Sequence, residues 1–144
     1  MGTNAAYGYL LQATAGNSSY AGSANFNAND LVLTNGSAVS SSETNKFTSL
    51  ATNASVSSMG SANPDTWGYA YATYDTTNST WNNYSNYSGL PVYTETNGAE
   101  LINTDGTADS KSIKFKIAAN ASDSRVAGEY TNVINFIAVA NPEP

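Results

Sequence analysis

At 144 residues the chain has the length of one domain and can bury a core of its own. Its formal charge of −6, from 11 acids against five bases, argues against nucleic acid, whose phosphates need a basic surface, and against a polybasic membrane contact. There is no Cys and no His, which removes thiol catalysis, disulfides, the usual zinc sites and the commonest general base.

Charged residues make up only 11% of the chain, against roughly a quarter in an average soluble domain. The polarity comes instead from 19 Ser, 16 Thr and 19 Asn. These side chains compete for backbone hydrogen bonds, so they are poor in helices and suit turns and exposed strand faces. No run of about 18 apolar residues exists, so no membrane-inserted helix is expected within this chain. No signal peptide precedes "MGTNAAYG", so the chain reads either as cytosolic or as an excised piece of an exported protein. The composition favours the second.

In chain order, "AYGYLLQATA" (6–15) sets Tyr9, Leu11 and Ala13 on one face of a strand. "NDLVLTNGSAV" (29–39) is a short strand closed by Asn35-Gly36, a pair that favours the positive φ of a tight hairpin. Residues 40–64 have no clear period and are expected to be a long connection, with a short element around Phe47 and Leu50. "TWGYAYATYD" (66–75) alternates Trp67, Tyr69, Tyr71 and Thr73 with Gly68, Ala70, Ala72 and Tyr74. The small residues predict a close approach on their side. "NSTWNNYSNYSG" (78–89) follows as an uncharged polar and aromatic loop, and "GLPVYTETNG" (89–98) ends in a second Asn-Gly. "SIKFKIAA" (112–119) points Ile113, Phe115 and Ile117 inward and Lys114 and Lys116 outward. "GEYTNVINFIAVAN" (128–141) is apolar on both faces and predicts a central strand, Tyr130 to Val139, buried on both sides.

Short strands, frequent turn signals and no 3.6-residue period give an all-β fold, an Ig-like or jelly-roll-type antiparallel β-sandwich of about seven to nine strands. Residues 1–140 form the single sandwich domain, and "NPEP" (141–144) starts a Pro-rich linker.

An ordered set of segments carries a resemblance. "TNAAYGYLLQATA", "NPDTWGYAYA", "YSGLP" and "AGEYTNVINFIAVANP" span nearly the whole chain. Together they resemble the β-sandwich module of cell-surface proteins of candidate-phylum and some other bacteria, in which a TNxxxGY strand, a WGY strand, a GxP element and a closing AGxYTNxxxFxAVANP strand recur in this order. The resemblance implies an extracellular, cell-surface location and a wall- or filament-associated role. The expected partners are other surface-protein modules or neighbouring subunits, or a glycan or host-cell surface. The resembled modules place one more strand before the "TN" element, where this chain has only Met1-Gly2. The chain therefore either lacks an edge strand or receives one from a neighbour, as a filament or pilus subunit would.

The candidate ligand-binding residues are Trp81, Tyr84 and Tyr87, with Asn83 and Asn86 (and Asn82 beside them) as hydrogen-bonding groups. Such rings suit the C–H faces of sugars and also protein contacts. Trp67, Tyr69 and Tyr71 fit the core better. Seven N-x-S/T sequons, at Asn17, Asn35, Asn53, Asn78, Asn83, Asn86 and Asn120, fit chance in so Asn-rich a chain better than use. Asn103, Asp105 and Asp109 offer oxygen ligands without the spacing of a calcium loop, and a plain turn is the better reading. A Lys–Asn isopeptide bond from Lys111, Lys114 or Lys116 to Asn132 or Asn135 needs a dry core, whereas the alternation puts Lys114 and Lys116 outside. No metal, no cofactor and no catalytic residue is expected. The non-catalytic structural or adhesive module is the leading reading, with a carbohydrate-binding module or a strand-complemented filament subunit as alternatives.

Overall fold

Tyr9, Leu11, Ala13 and Ala15 alternate with Leu10, Gln12 and Thr14, and this period-two segment is strand β1, Tyr9–Ala15. A computed structural model of the chain describes residues 7–16, 26–35, 38–39, 45–93, 98–105 and 111–141. Among them follow β2 (Leu31–Asn35), β3 (Ala38–Val39), β4 (Lys46–Ser49), β5 (Thr66–Asp75), β6 (Thr80–Trp81), β7 (Ala99–Asn103), β8 (Ile113–Asn120), β9 (Glu129–Thr131) and β10 (Ile134–Ala140). No helix longer than a single turn occurs among the described residues. The fold is the expected all-β sandwich, with β3 and β6 as two-residue fragments.

One sheet has three strands in the order β10-β1-β7. The other runs β3-β2-β4-β5-β6, with β8 paired to β5 and β9 paired to β2. Every pair is antiparallel except the short β4–β5 contact, Thr48↔Thr66 and Ser49↔Trp67, which is parallel. β8 pairs with β5 over its full length, from Thr66↔Asn120 to Thr73↔Ile113, and the last two residues of β5 pair with β6. β2 and β3 pair as the hairpin expected from Asn35-Gly36, although Gly36 itself lies outside the described residues, as do Asn97 and Asp109.

The core lies between β1 and β5. Tyr9, Leu11, Ala13 and Ala15 meet Trp67 and Tyr69, and Phe47, Leu90 and Leu101 close the ends. A register shift in the β1–β7 pair, between Leu11 and Gln12, accompanies the burial of Leu101. Phe115 stacks on Tyr69 with centroids 5.1 Å apart and meets Phe136 of β10 edge-on at 5.3 Å. Three rings thus tie the two sheets together; Tyr69, the buried one, contributes on the order of 1.5–3 kcal/mol, and the partly exposed Phe115 and Phe136 less.

The closing segment departs from expectation. It is not one central strand. Asn132 interrupts it, its Nδ2 donating to Ala28 O (3.0 Å) and Asp30 O (2.6 Å) while its Oδ1 accepts from the Val133 amide at 2.5 Å. β9 stays with β2 in the larger sheet, and β10 crosses to the edge of the smaller one. Phe136 and Val139 are 52% and 49% exposed. Apolar residues on both faces are compatible with burial between layers and equally with an uncovered edge, so the pattern alone cannot choose. Ile117 departs for a related reason: it lies on the inward row of β8, but β8 is itself an edge strand and leaves it half exposed.

Two acids anchor the irregular segments. Asp30 is fully buried. It accepts from the Asn27 amide (2.9 Å) and the Ser49 amide (3.1 Å) and lies 3.5 Å from Lys46 Nζ. Asp65, at φ 56°, precedes β5. Its carboxylate accepts from Arg125 Nε (2.9 Å), the Ser122 amide (2.9 Å) and Ser122 Oγ (2.7 Å), and it ion-pairs with Arg125 at 2.8 Å. Arg125 also donates to Lys46 O and covers the Phe47 ring. The Arg125 guanidinium, and then the Ser122 amide, hold the Asp65 carboxyl well below the usual carboxylate range.

A depressed folded-state pKa stabilises the fold above the unfolded pKa, and that contribution is lost as pH falls through the folded value. Asp65→Asn is therefore expected to lower urea midpoints at pH 7. Its deficit relative to wild type should shrink steadily below about pH 4. A deficit independent of pH would show that the charge on Asp65 contributes nothing.

Candidate functional site

The outer face of the β5–β8 pair is built from small and long residues side by side. Gly68, Ala70 and Ala72 of β5 form a shallow trough, and the register sets Lys116 beside Ala70 and Lys114 beside Ala72. On the other flank of β5 the 80–88 segment returns as a ladder rather than a free loop. A turn closed by Asp75, whose Oδ1 accepts from the Thr77 and Asn78 amides, reverses the chain. Trp81 then pairs with Tyr74. The Asn82 amide donates to Thr73 O at 3.0 Å and the Ser85 amide to Tyr71 O at 2.8 Å. Ser88 and Tyr69 exchange backbone hydrogen bonds of 3.0 and 2.9 Å.

The far side of this segment is held as well. Tyr87 and Val56 exchange bonds of 2.7 and 3.0 Å, Asn86 Nδ2 donates to Ser55 Oγ (2.9 Å), and Ser88 Oγ donates to Thr52 O (2.8 Å). The close approach expected from the small residues is found at Gly68, where a Cβ would stand 2.7 Å from Leu50 Cδ1 and 2.8 Å from Ser88 O. At Gly89 a Cβ would lie 1.6 Å from Leu50 O, so only glycine lets the two backbones pass.

This scaffold brings the predicted rings together. Trp81 meets Tyr74 edge-on with centroids 5.3 Å apart. Lys114 reaches over the alanine trough to place Nζ 4.3 Å from the Trp81 centroid. Lys116 Nζ lies 4.2 Å from the Tyr84 centroid and 4.9 Å from that of Tyr87. Tyr84 is exposed, and Trp81 and Tyr87 are half-buried. Asn83 and Asn86 are exposed, and Asn82 Nδ2 is turned back to Thr73 Oγ1 at 2.9 Å. Trp67 and Tyr69, by contrast, are buried in the core with Tyr71 packed against them.

The lysines were absent from the predicted site. Alternation places them correctly on an outer face, yet nothing local says that the facing strand offers alanines and that aromatic rings lie beyond. Their charge is distinctive. Of the five cations, Lys46 and Arg125 pair with Asp30 and Asp65. Lys114 and Lys116 form no ion pair among the described residues, so this acidic chain carries a local positive face.

The face can bind through ring surfaces, amides and ammonium groups. A separate cavity of about 270 Å³, lined by Thr73, Tyr74, Leu101, Ile102, Asn103 and Lys111 among others, includes none of Trp81, Tyr84 and Tyr87. Among the described residues no group of three or more acids could hold a metal ion. The chain is an all-β sandwich that presents an aromatic, lysine-capped face on one outer sheet surface. No family model, curated protein or solved structure matches it.

Proposed function

We propose that this chain is a non-catalytic extracellular module of a bacterial cell-surface protein, structural or adhesive in role, and that the Trp81–Tyr84–Tyr87 face is its contact surface. The observation that carries the reading is the arrangement of these rings with Lys114 and Lys116 on a face braced from both sides by backbone hydrogen bonds. A contact surface gains from such bracing, because little side-chain or loop entropy is lost on binding. The resemblance of the ordered "TN", "WGY", "GLP" and closing segments supports the location. A carbohydrate-binding module is the second reading. It is favoured by half-exposed rings beside exposed Asn83 and Asn86, with ammonium groups suited to an acidic sugar.

The test replaces Trp81, Tyr84 and Tyr87 together by Ala. Exposed cation–π contacts are worth about 0.5–1 kcal/mol each. The melting temperature is therefore expected to fall by only roughly 6 °C, at about 3 °C per kcal/mol for a chain of this size. Binding to a glycan array and to cells should be lost. A variant that unfolds would make these rings structural, and a wild-type chain that binds neither glycans nor cells would overturn the contact-surface reading.

A further inference from the structure

β10 has the sequence of an interior strand and the position of an edge. Ile134, Asn135, Phe136, Ile137, Ala138, Val139 and Ala140 carry no charge, and among the described residues β1 is the strand's sole neighbour. Other strands at sheet edges carry charge, the usual protection: β7 has Glu100, β8 has Lys114 and Lys116, and β9 has Glu129.

The register tells which backbone groups are unused. Gly16 N donates to Val133 O and Asn141 N donates to Gly8 O, both at 3.0 Å, and the pairing between them runs without a break from Ala15↔Ile134 to Tyr9↔Ala140. In an antiparallel pair the hydrogen-bonded positions alternate. Asn135, Ile137 and Val139 therefore direct their amides and carbonyls to β1, while Ile134, Phe136, Ala138 and Ala140 direct theirs outward. None of these outward groups has a partner among the described residues. A bare apolar edge of this kind is satisfied by an extended strand.

We propose that the occupant is β10 of a second copy of this chain, paired antiparallel about a twofold axis through Ile137. Three features favour self-pairing. An uncharged strand brings no like charges together, which matters in a chain of net charge −6. Full overlap aligns the outward amides of one strand with the outward carbonyls of the other. In that register Phe136, half exposed on the inward row, lies beside the second copy's Ala138, so a large residue meets a small one, and Ile137 meets its own copy. The product is one continuous sheet, β7-β1-β10 joined to its twofold mate, and a closed dimer. The inference stands apart from the aromatic face, which lies on the other sheet.

The experiment is sedimentation velocity over a concentration series of the full chain, with two kinds of variant. Ala138→Pro removes an outward N–H without touching the β1 ladder, a position where an edge strand tolerates proline. It is expected to abolish a concentration-dependent dimer and leave the circular dichroism of dilute protein unchanged. Ile137→Cys gives a chain with no other thiol a self-paired position, where facing Cα atoms about 4.5 Å apart permit a disulfide. Under mild oxidation it should form a disulfide dimer at least tenfold faster than Asn135→Cys, which the register offsets from its own copy. Should Ala138→Pro fail to fold, the cysteine pair decides alone. A chain monomeric at every concentration, a dimer indifferent to Ala138→Pro, equal oxidation of the two cysteine variants, or growth beyond two copies would each overturn the proposal.

Discussion

Trp67→Ala is expected to destabilise the chain by about 3–5 kcal/mol, the cost of removing a large ring from a core that cannot fully collapse around the gap. Trp67 has no exposed surface and stands where β1 and β5 meet. Its Nε1 donates to Asn29 O at 2.9 Å, so truncation also strands a carbonyl in the segment that leads into β2. At about 3 °C per kcal/mol the melting temperature should fall by roughly 10–15 °C, about twice the drop expected for the surface triple variant. Trp67→Phe separates the two contributions: it fills most of the space and loses the hydrogen bond, so about 1–2 kcal/mol is expected. Urea unfolding followed by circular dichroism checks both. A Trp67→Ala variant within about 1 kcal/mol of wild type would contradict the central packing of this ring.

Asp30→Ala should be nearly as damaging, at about 3–5 kcal/mol, the range for removing one partner from a buried ion pair. Asp30 is wholly inaccessible, and the Lys46 side chain is 11% exposed. Alanine would strip acceptors from the Asn27 and Ser49 amides and remove the carboxylate 3.5 Å from Lys46 Nζ. The double variant Asp30→Ala/Lys46→Met tests how much of the loss belongs to the pair. Replacing both charges by apolar groups is often close to neutral, so the double variant is expected to be more stable than Asp30→Ala, with a coupling of about 1–3 kcal/mol. Additive losses would assign the whole role of Asp30 to its two amide contacts.

Where one face of a strand is buried, its place was legible. β5 occupies the expected residues 66–75, Tyr9, Leu11 and Ala13 reach the core from β1, and Lys114 and Lys116 lie on the outer face of β8. The trough at Gly68, Ala70 and Ala72 was legible too, because small residues in a strand leave room that something must occupy. The aromatic cluster was legible as composition and not as geometry. The sequence shows a polar loop at 78–89, and the structure shows a hydrogen-bonded ladder between β5 and Val56 whose rings meet lysines about 30 residues later in the chain.

By itself, then, the sequence determined the class of fold, the inward and outward rows of β1, β5 and β8, and the exclusion of thiol and histidine chemistry. Those follow from the two-residue period of an extended backbone and from residue type, both local properties. Tertiary structure alone decided which strands are neighbours, that Asn132 sends β9 and β10 to different sheets, that β10 ends at an edge, and that Asp30 meets Lys46 and Asp65 meets Arg125. The reason is physical. Alternation states which side of a strand is apolar, whereas burial depends on whether another layer lies against that side, and the segments that would supply the layer are distant in the chain and found only by long-range pairing.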